Sequence, residues 1–160
     1  MPEIYFEEDK KMNTNIKTAE LEDVKINVKI KLSALWAALM FLYIYGDILG
    51  FYTPGNLEQL ISGEIEGIQL TGGLLIVNAV TMAIQTVMIF LSVALKANAN
   101  RWANLVLGVF AAVVLVVATY VGGIDVRYAI QASVELVLIA LIIWHAWKII
   151  NAISTSSTLA

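Results

Sequence analysis

Apolar residues along this chain gather into four long blocks separated by short polar links. Each block runs about 20 residues, the length a helix needs to cross a hydrocarbon core of about 30 Å. The pattern predicts membrane-spanning helices over residues 32–52, 72–95, 102–121 and 128–150. The links at 97–101 and 122–127 are short enough to force antiparallel neighbours. The expected fold class is therefore an all-α membrane protein, a four-helix transmembrane up-down-up-down bundle.

The flanks break this pattern in different ways. Residues 1–23 are polar and acidic and predict a cytoplasmic tail, or a docking arm anchored by Ile4, Tyr5 and Phe6. A cleavable signal would begin basic and turn apolar at once, so the first block is expected to act as an uncleaved anchor. Residues 24–31, VKINVKIK, alternate apolar and polar with a period of two. That suits either a short strand or a segment laid on the bilayer with its lysines toward anionic headgroups. Ser33 is a candidate cap for the first helix. Trp36 at one end of it, with Phe51 and Tyr52 at the other, reads as an aromatic belt. After the Pro54-Gly55-Asn56 turn, residues 57–70 carry Leu57, Leu60, Ile61, Ile65 and Ile68 at helical spacing with three glutamates elsewhere. They predict a short interfacial amphipathic segment outside the membrane, broken near Gly63. The tail 154–160 is expected to be disordered.

Composition agrees with the pattern: 59% of the 160 residues are hydrophobic, and the mean hydropathy is +0.79. With no cysteine and a single histidine, His145, the chain offers neither thiol chemistry nor a multi-histidine metal or haem site. No cofactor or metal is expected. The net charge of −3 gives no nucleic-acid surface. No nucleophile–base pair or phosphate-binding glycine loop is present.

Charge placement orients the bundle. Lys25, Lys29, Lys31, Lys96, Arg101 and Lys148 all fall on one side of a four-span layout, and only Arg127 lies on the other, with Glu58, Glu64, Glu66 and Asp125. The positive-inside rule then places both termini in the cytoplasm.

Polar residues at membrane depth are more informative than the apolar bulk, because apolar groups gain little by leaving lipid for a lipid-like interior. Thr71, Asn78, Gln85 and Ser92 recur every seven residues, with Thr81 and Met88 on the same face. This stripe must face the bundle interior or another subunit. In the last block Tyr128, Gln131, Glu135, Leu138, Ile142 and His145 follow one face. Glu135 lies about 12 Å along the helix from Arg127 at 1.5 Å per residue, where an ionised carboxylate is costly. Asp47, near the same outer boundary, has Arg127 as its natural counter-ion. Asp47, Asn78, Gln85, Arg127, Gln131 and Glu135 are thus the candidate lining of an outer-half polar or ion pocket. The alternative is a hydrogen-bonded polar plug. His145, between Trp144 and Trp147, is a belt residue or a proton relay. Gly108 and Ala112 form a small-xxx-small pair that permits close helix packing.

The stretch KLSALWAALMFLYIYGDILGFYTPG, residues 31–55, taken with NRWANLVLG at 100–108 and the late Trp144 and Trp147, resembles a bacterial family of small four-helix membrane proteins of unknown function. The resemblance covers about residues 24–150 and rests on Tyr45-Gly46-Asp47, Pro54-Gly55 and Asn100-Arg101-Trp102. It implies this fold in the bacterial cytoplasmic (inner) membrane and brings no activity. The acidic tail extends beyond the family pattern, so nothing carries over to it. The expected function is a non-enzymatic integral membrane protein, homo-oligomeric or an accessory subunit of a larger membrane complex, in contact with membrane lipids. A small ion- or proton-coupled channel or transporter is one alternative. A lipid- or quinone-binding protein using the aromatic helix ends is another.

Overall fold

A computed structural model describes residues 26–65, 67–122 and 126–157. The acidic tail, Lys25 and residues 158–160 lie outside the described residues. The chain forms helices α1 (Val28–Phe51), α2 (Asn56–Ile61), α3 (Gly72–Ala94), α4 (Ala97–Gly122) and α5 (Val126–Ser157), with a two-stranded hairpin, β1 (Glu64–Ile65) and β2 (Ile68–Gln69), between α2 and α3. Four of the helices are long and apolar enough to cross a membrane.

The period-two segment does not stay extended where it is described. Asn27 accepts a hydrogen bond from the Lys29 backbone N–H at 3.0 Å, and α1 starts at Val28. The cap is therefore Asn27, not Ser33, which lies inside the helix and donates to the Ile89 carbonyl at 2.7 Å. An asparagine at this position satisfies an orphan N–H and overrides the alternation that follows it. At the other end α1 stops at Phe51, three residues before Pro54, which disfavours helical backbone in its predecessor Thr53.

The segment expected to be amphipathic divides at Gly63, whose φ of 85° ends the helical half. Past it, Glu64 pairs with Gln69 and Ile65 with Ile68 in antiparallel register, and Gly67 takes φ 80° in the turn. Only the first half of the expected amphipathic segment is thus helical. Glycine tolerates this left-handed backbone without a Cβ clash.

The link between α3 and α4 shrinks to Leu95-Lys96, because α4 begins at Ala97. The Lys29 ammonium donates to the Val93 and Leu95 carbonyls at the end of α3, a cation satisfying orphan acceptors at a helix C-terminus. Downstream, α5 continues to Ser157, past the expected end at 150 and into the tail expected to be disordered.

Contacts between helices fix their directions. Lys29 meets Leu95 and Ser33 meets Ile89, so α1 and α3 run antiparallel. Tyr43 meets Glu135, while Gln131 lies against Gly46, so α1 and α5 do too. A Cβ on Gly108 would come within 2.9 Å of Ile143, and Thr119 meets Tyr128 at 3.1 Å, so α4 and α5 also oppose each other. The small residue at Gly108 is what lets α4 approach α5. Leu32, Trp36, Leu39, Met88, Ala111, Leu115, Ile139 and Ile142 form the buried core. Trp36 is thus a core residue, completely buried, and not the interfacial belt residue its position suggested. Phe51 and Tyr52 are exposed, as a belt requires.

The helices are unequally covered. α1 packs extensively on both α3 and α5, and α5 on α4, whereas α3 and α4 touch little. The first part of α3, from its cap Thr71 to Val80, is exposed at every position.

Candidate functional site

The inward stripe of α1 is Leu32, Trp36, Leu39, Tyr43 and Gly46, in steps of four and three. Such steps keep side chains on one helix face. Two polar groups on this stripe organise the interior.

The first lies toward the lysine-rich end. Trp36 donates its indole N–H to Asn104 Oδ1 at 2.7 Å, and Ser92 Oγ donates to the same oxygen at 3.2 Å. Asn104 Nδ2 donates to the Asn100 carbonyl at 2.8 Å and to Asn100 Oδ1 at 2.7 Å. Both lone pairs and both hydrogens of the Asn104 carboxamide are therefore used. Trp36, Ser92, Asn100 and Asn104 are each fully buried, and together they tie α1, α3 and α4. Asn104 and Trp36 were not singled out as interior polar residues by the sequence pattern. The available signal was a stripe on α4, Asn100, Asn104, Gly108, Ala111 and Leu115, at helical spacing. Treating residues 97–101 as a link removed its first member.

The second group lies between α1 and α5, in the half of the bundle away from the lysine-rich end. Tyr43 donates its hydroxyl to Glu135 Oε1 at 2.7 Å, and Glu135 is 7% exposed. One turn further from the lysine-rich end, Gln131 packs on Gly46, where any Cβ would collide with the Gln131 amide. Arg127 Nη1 points at the Gly46 carbonyl, 3.4 Å away. Glu135, Gln131 and Arg127 thus form one polar line against α1, and Tyr43 is the partner that the sequence reading missed. Gly46 of the Tyr45-Gly46-Asp47 signature is the point where α5 crosses α1.

The other candidates do not join this line. Asp47 and Asn78 are both exposed. The antiparallel register of α1 and α3 carries Asn78 to about the level of Gly46, so depth agrees with the expectation while direction does not. Two residues at one depth share a pocket only if their helix faces converge, and here they do not. Gln85 is fully buried on the α1–α3 side, toward the core rather than in the outer line. Neither its Nε2 nor its Oε1 has a protein partner. The seven-residue stripe of α3 thus changes role along its length. Gln85, Met88 and Ser92 face the interior, Asn78 faces outward, and Thr71 caps the helix by accepting from the Leu74 N–H at 3.2 Å. His145 bonds through Nδ1 to the Leu141 carbonyl of its own helix at 2.8 Å. Among the described residues, no cluster of three or more metal-binding side chains occurs.

The Trp36–Asn104 bond is expected to couple strongly. Trp36→Phe should leave Asn104 Oδ1 with Ser92 as its one donor and cost about 0.5–1.5 kcal/mol. In a double-mutant cycle with Asn104→Leu, scored by reversible unfolding in mixed micelles, the two losses should be clearly less than additive. Simple additivity would mean that the node is not a unit.

Comparison with known proteins adds no chemistry to this arrangement. Residues 19–154 match a family described as a family of unknown function (DUF6326). No curated protein and no solved structure matches the chain.

Proposed function

The chain belongs to this family of unknown function, and from that premise we propose that it is a non-enzymatic assembly unit of the bacterial inner membrane, a bundle that completes itself by lateral association through the outer half of α3. The observation that carries this reading is the exposure of Asn78, about 9 Å into α3 from Gly72 at 1.5 Å per residue. A carboxamide without a partner in hydrocarbon costs several kcal/mol. Lipid tails cannot supply the missing bonds, whereas a second protein surface can. A second copy of the chain is the favoured occupant. A carboxamide both donates and accepts, so Asn78 can pair with its own symmetry mate across a two-fold axis. The surrounding Leu74, Leu75 and Val77 are exposed and add apolar packing to that contact.

A second reading rests on Glu135. A buried carboxylate among membrane helices is a functional hypothesis by default. Held by Tyr43 and lying in line with Gln131 and Arg127, it is suited to bind a proton or a small cation entering from the outer side. For either reading we place both termini in the cytoplasm. Lys29, Lys31, Lys96, Arg101 and Lys148 gather at one end of the bundle, and the α2–hairpin segment with Glu58 and Glu64 lies at the other.

Three measurements separate these statements. Asn78→Leu should weaken self-association in mild detergent by about three- to twentyfold, since interhelical polar bonds in membranes average about 0.6 kcal/mol and reach about 1.7. A chain that stays monomeric at every concentration, or that elutes with a different membrane protein, would overturn the homo-oligomer. Flux of protons or monovalent cations into proteoliposomes should fall sharply in Glu135→Gln and persist in Asp47→Asn, and absence of flux in the parent protein removes the second reading. Because the chain has no cysteine, single replacements report sidedness cleanly. Ser62→Cys should react with an impermeant maleimide added outside intact cells and Asn98→Cys should not, and the reverse pattern would invert the orientation.

A further inference from the structure

We propose that the furrow running from Lys148 along α5 toward its seam with α4 holds one acyl chain of an anionic phospholipid of the cytoplasmic leaflet, with Lys148 as the headgroup ligand. Two hollows that share Ile143 make the furrow. The one nearer the lysine-rich end is an open groove of about 560 Å³ on α5 itself, lined by Ala140, Ile143, Trp144, Trp147 and Lys148. The deeper one encloses about 280 Å³ between Ala112 and Val116 of α4 and the same Ile143. Both volumes together fall in the range typical of small-molecule pockets, roughly 300–1,000 Å³.

The floor of the furrow follows from the helix packing. Gly108 brings α4 close to Ile143, and the small Ala112 and Ala140 leave a depression where larger side chains would fill the seam. Its length fits one lipid chain. From Lys148 to Ala140, the span of the hollow under the lysine, is about 12 Å at 1.5 Å per residue, against about 15 Å for half of a 30 Å hydrocarbon core. The walls are apolar throughout, and the tryptophans stand at the mouth, 58% and 57% exposed for Trp144 and Trp147.

Charge selects the headgroup. The Lys148 ammonium lies 4.9 Å from the centroid of the Trp144 ring, which holds it over the mouth. A held cation above an apolar furrow fits a lipid with a net negative headgroup better than a zwitterionic one, whose own ammonium would repel it. Arg101, at the start of α4, stacks on Trp102 at 5.0 Å and adds positive charge at the same end of the bundle.

The test uses the full chain, delipidated in mild detergent and supplied with phosphatidylglycerol or phosphatidylcholine of matched chains, with bound lipid counted by native mass spectrometry. Phosphatidylglycerol should be retained at least tenfold more strongly. Lys148→Gln should bring the two lipids to near parity, while Ala140→Trp should lower retention of both by filling the furrow. Lys96→Gln, which removes a cation of the same side outside the furrow, should leave the preference unchanged. Equal retention of the two lipids by the parent chain would overturn the proposal. So would a Lys96→Gln loss as large as that of Lys148→Gln, because bulk surface charge would then account for the preference. Normal retention in Ala140→Trp would move the lipid out of the furrow.

Discussion

The hydrogen bond from Trp36 to Asn104 is the contact on which the arrangement of the bundle depends. In water, four apolar helices would be driven together by burial of surface. In hydrocarbon that drive is absent, so close packing and the few polar groups decide which faces meet. Asn104 accepts from Trp36 and Ser92 and donates twice to Asn100, leaving none of its valences open. A rotation of α1, α3 or α4 about its own axis would break at least one of these bonds in a medium that offers no substitute. The node therefore sets the rotation of three helices at once, and Lys29 over the end of α3 sets their height.

The fourth helix is held by different means. α5 reaches α1 through Tyr43–Glu135 and through Gln131 on Gly46, and reaches α4 across Gly108. Each contact needs a small residue or a polar pair at one exact step of a helix. The same requirement leaves unfilled features behind. Between α4 and α5 the small residues that permit close approach also leave the hollow where Ala112 faces Ile143. On α3, one half of a polar stripe is absorbed by the core and the other half is left outward, with Asn78 in it. The proposed self-association and the proposed lipid site thus rest on one geometric fact: these four helices do not bury every polar or small position against one another.

The resemblance carried by Tyr45-Gly46-Asp47, Pro54-Gly55 and Asn100-Arg101-Trp102 acquires a physical content. Gly46 is the α1–α5 crossing, Gly55 takes a φ of 88° before α2, and Asn100 is buried beneath Asn104. Three of these signature positions are places where the backbone or a buried amide leaves little freedom. Asp47 and Tyr45 are exposed, and their place in the signature is not explained by packing within one chain.

The four spans, the inward face of α5 from Tyr128 to His145 and the Gly108–Ala112 contact were determined by the sequence alone. Each is written in a period of about 3.6 or in a run long enough to cross a membrane, and such signals are local. The grouping of lysines at one end followed for the same reason, since short links leave a chain no choice of side. What only the tertiary structure decided was rotation and partnership. Trp36 looked interfacial by its position and is central by its bond to Asn104, and Tyr43 became the partner of Glu135. Asp47 and Asn78 share a depth with Gln131 yet face away from it. Depth is counted along one helix and can be read from residue numbers. Direction is relative to other helices, and it is set by contacts between residues 68 and 92 positions apart, which no local period records.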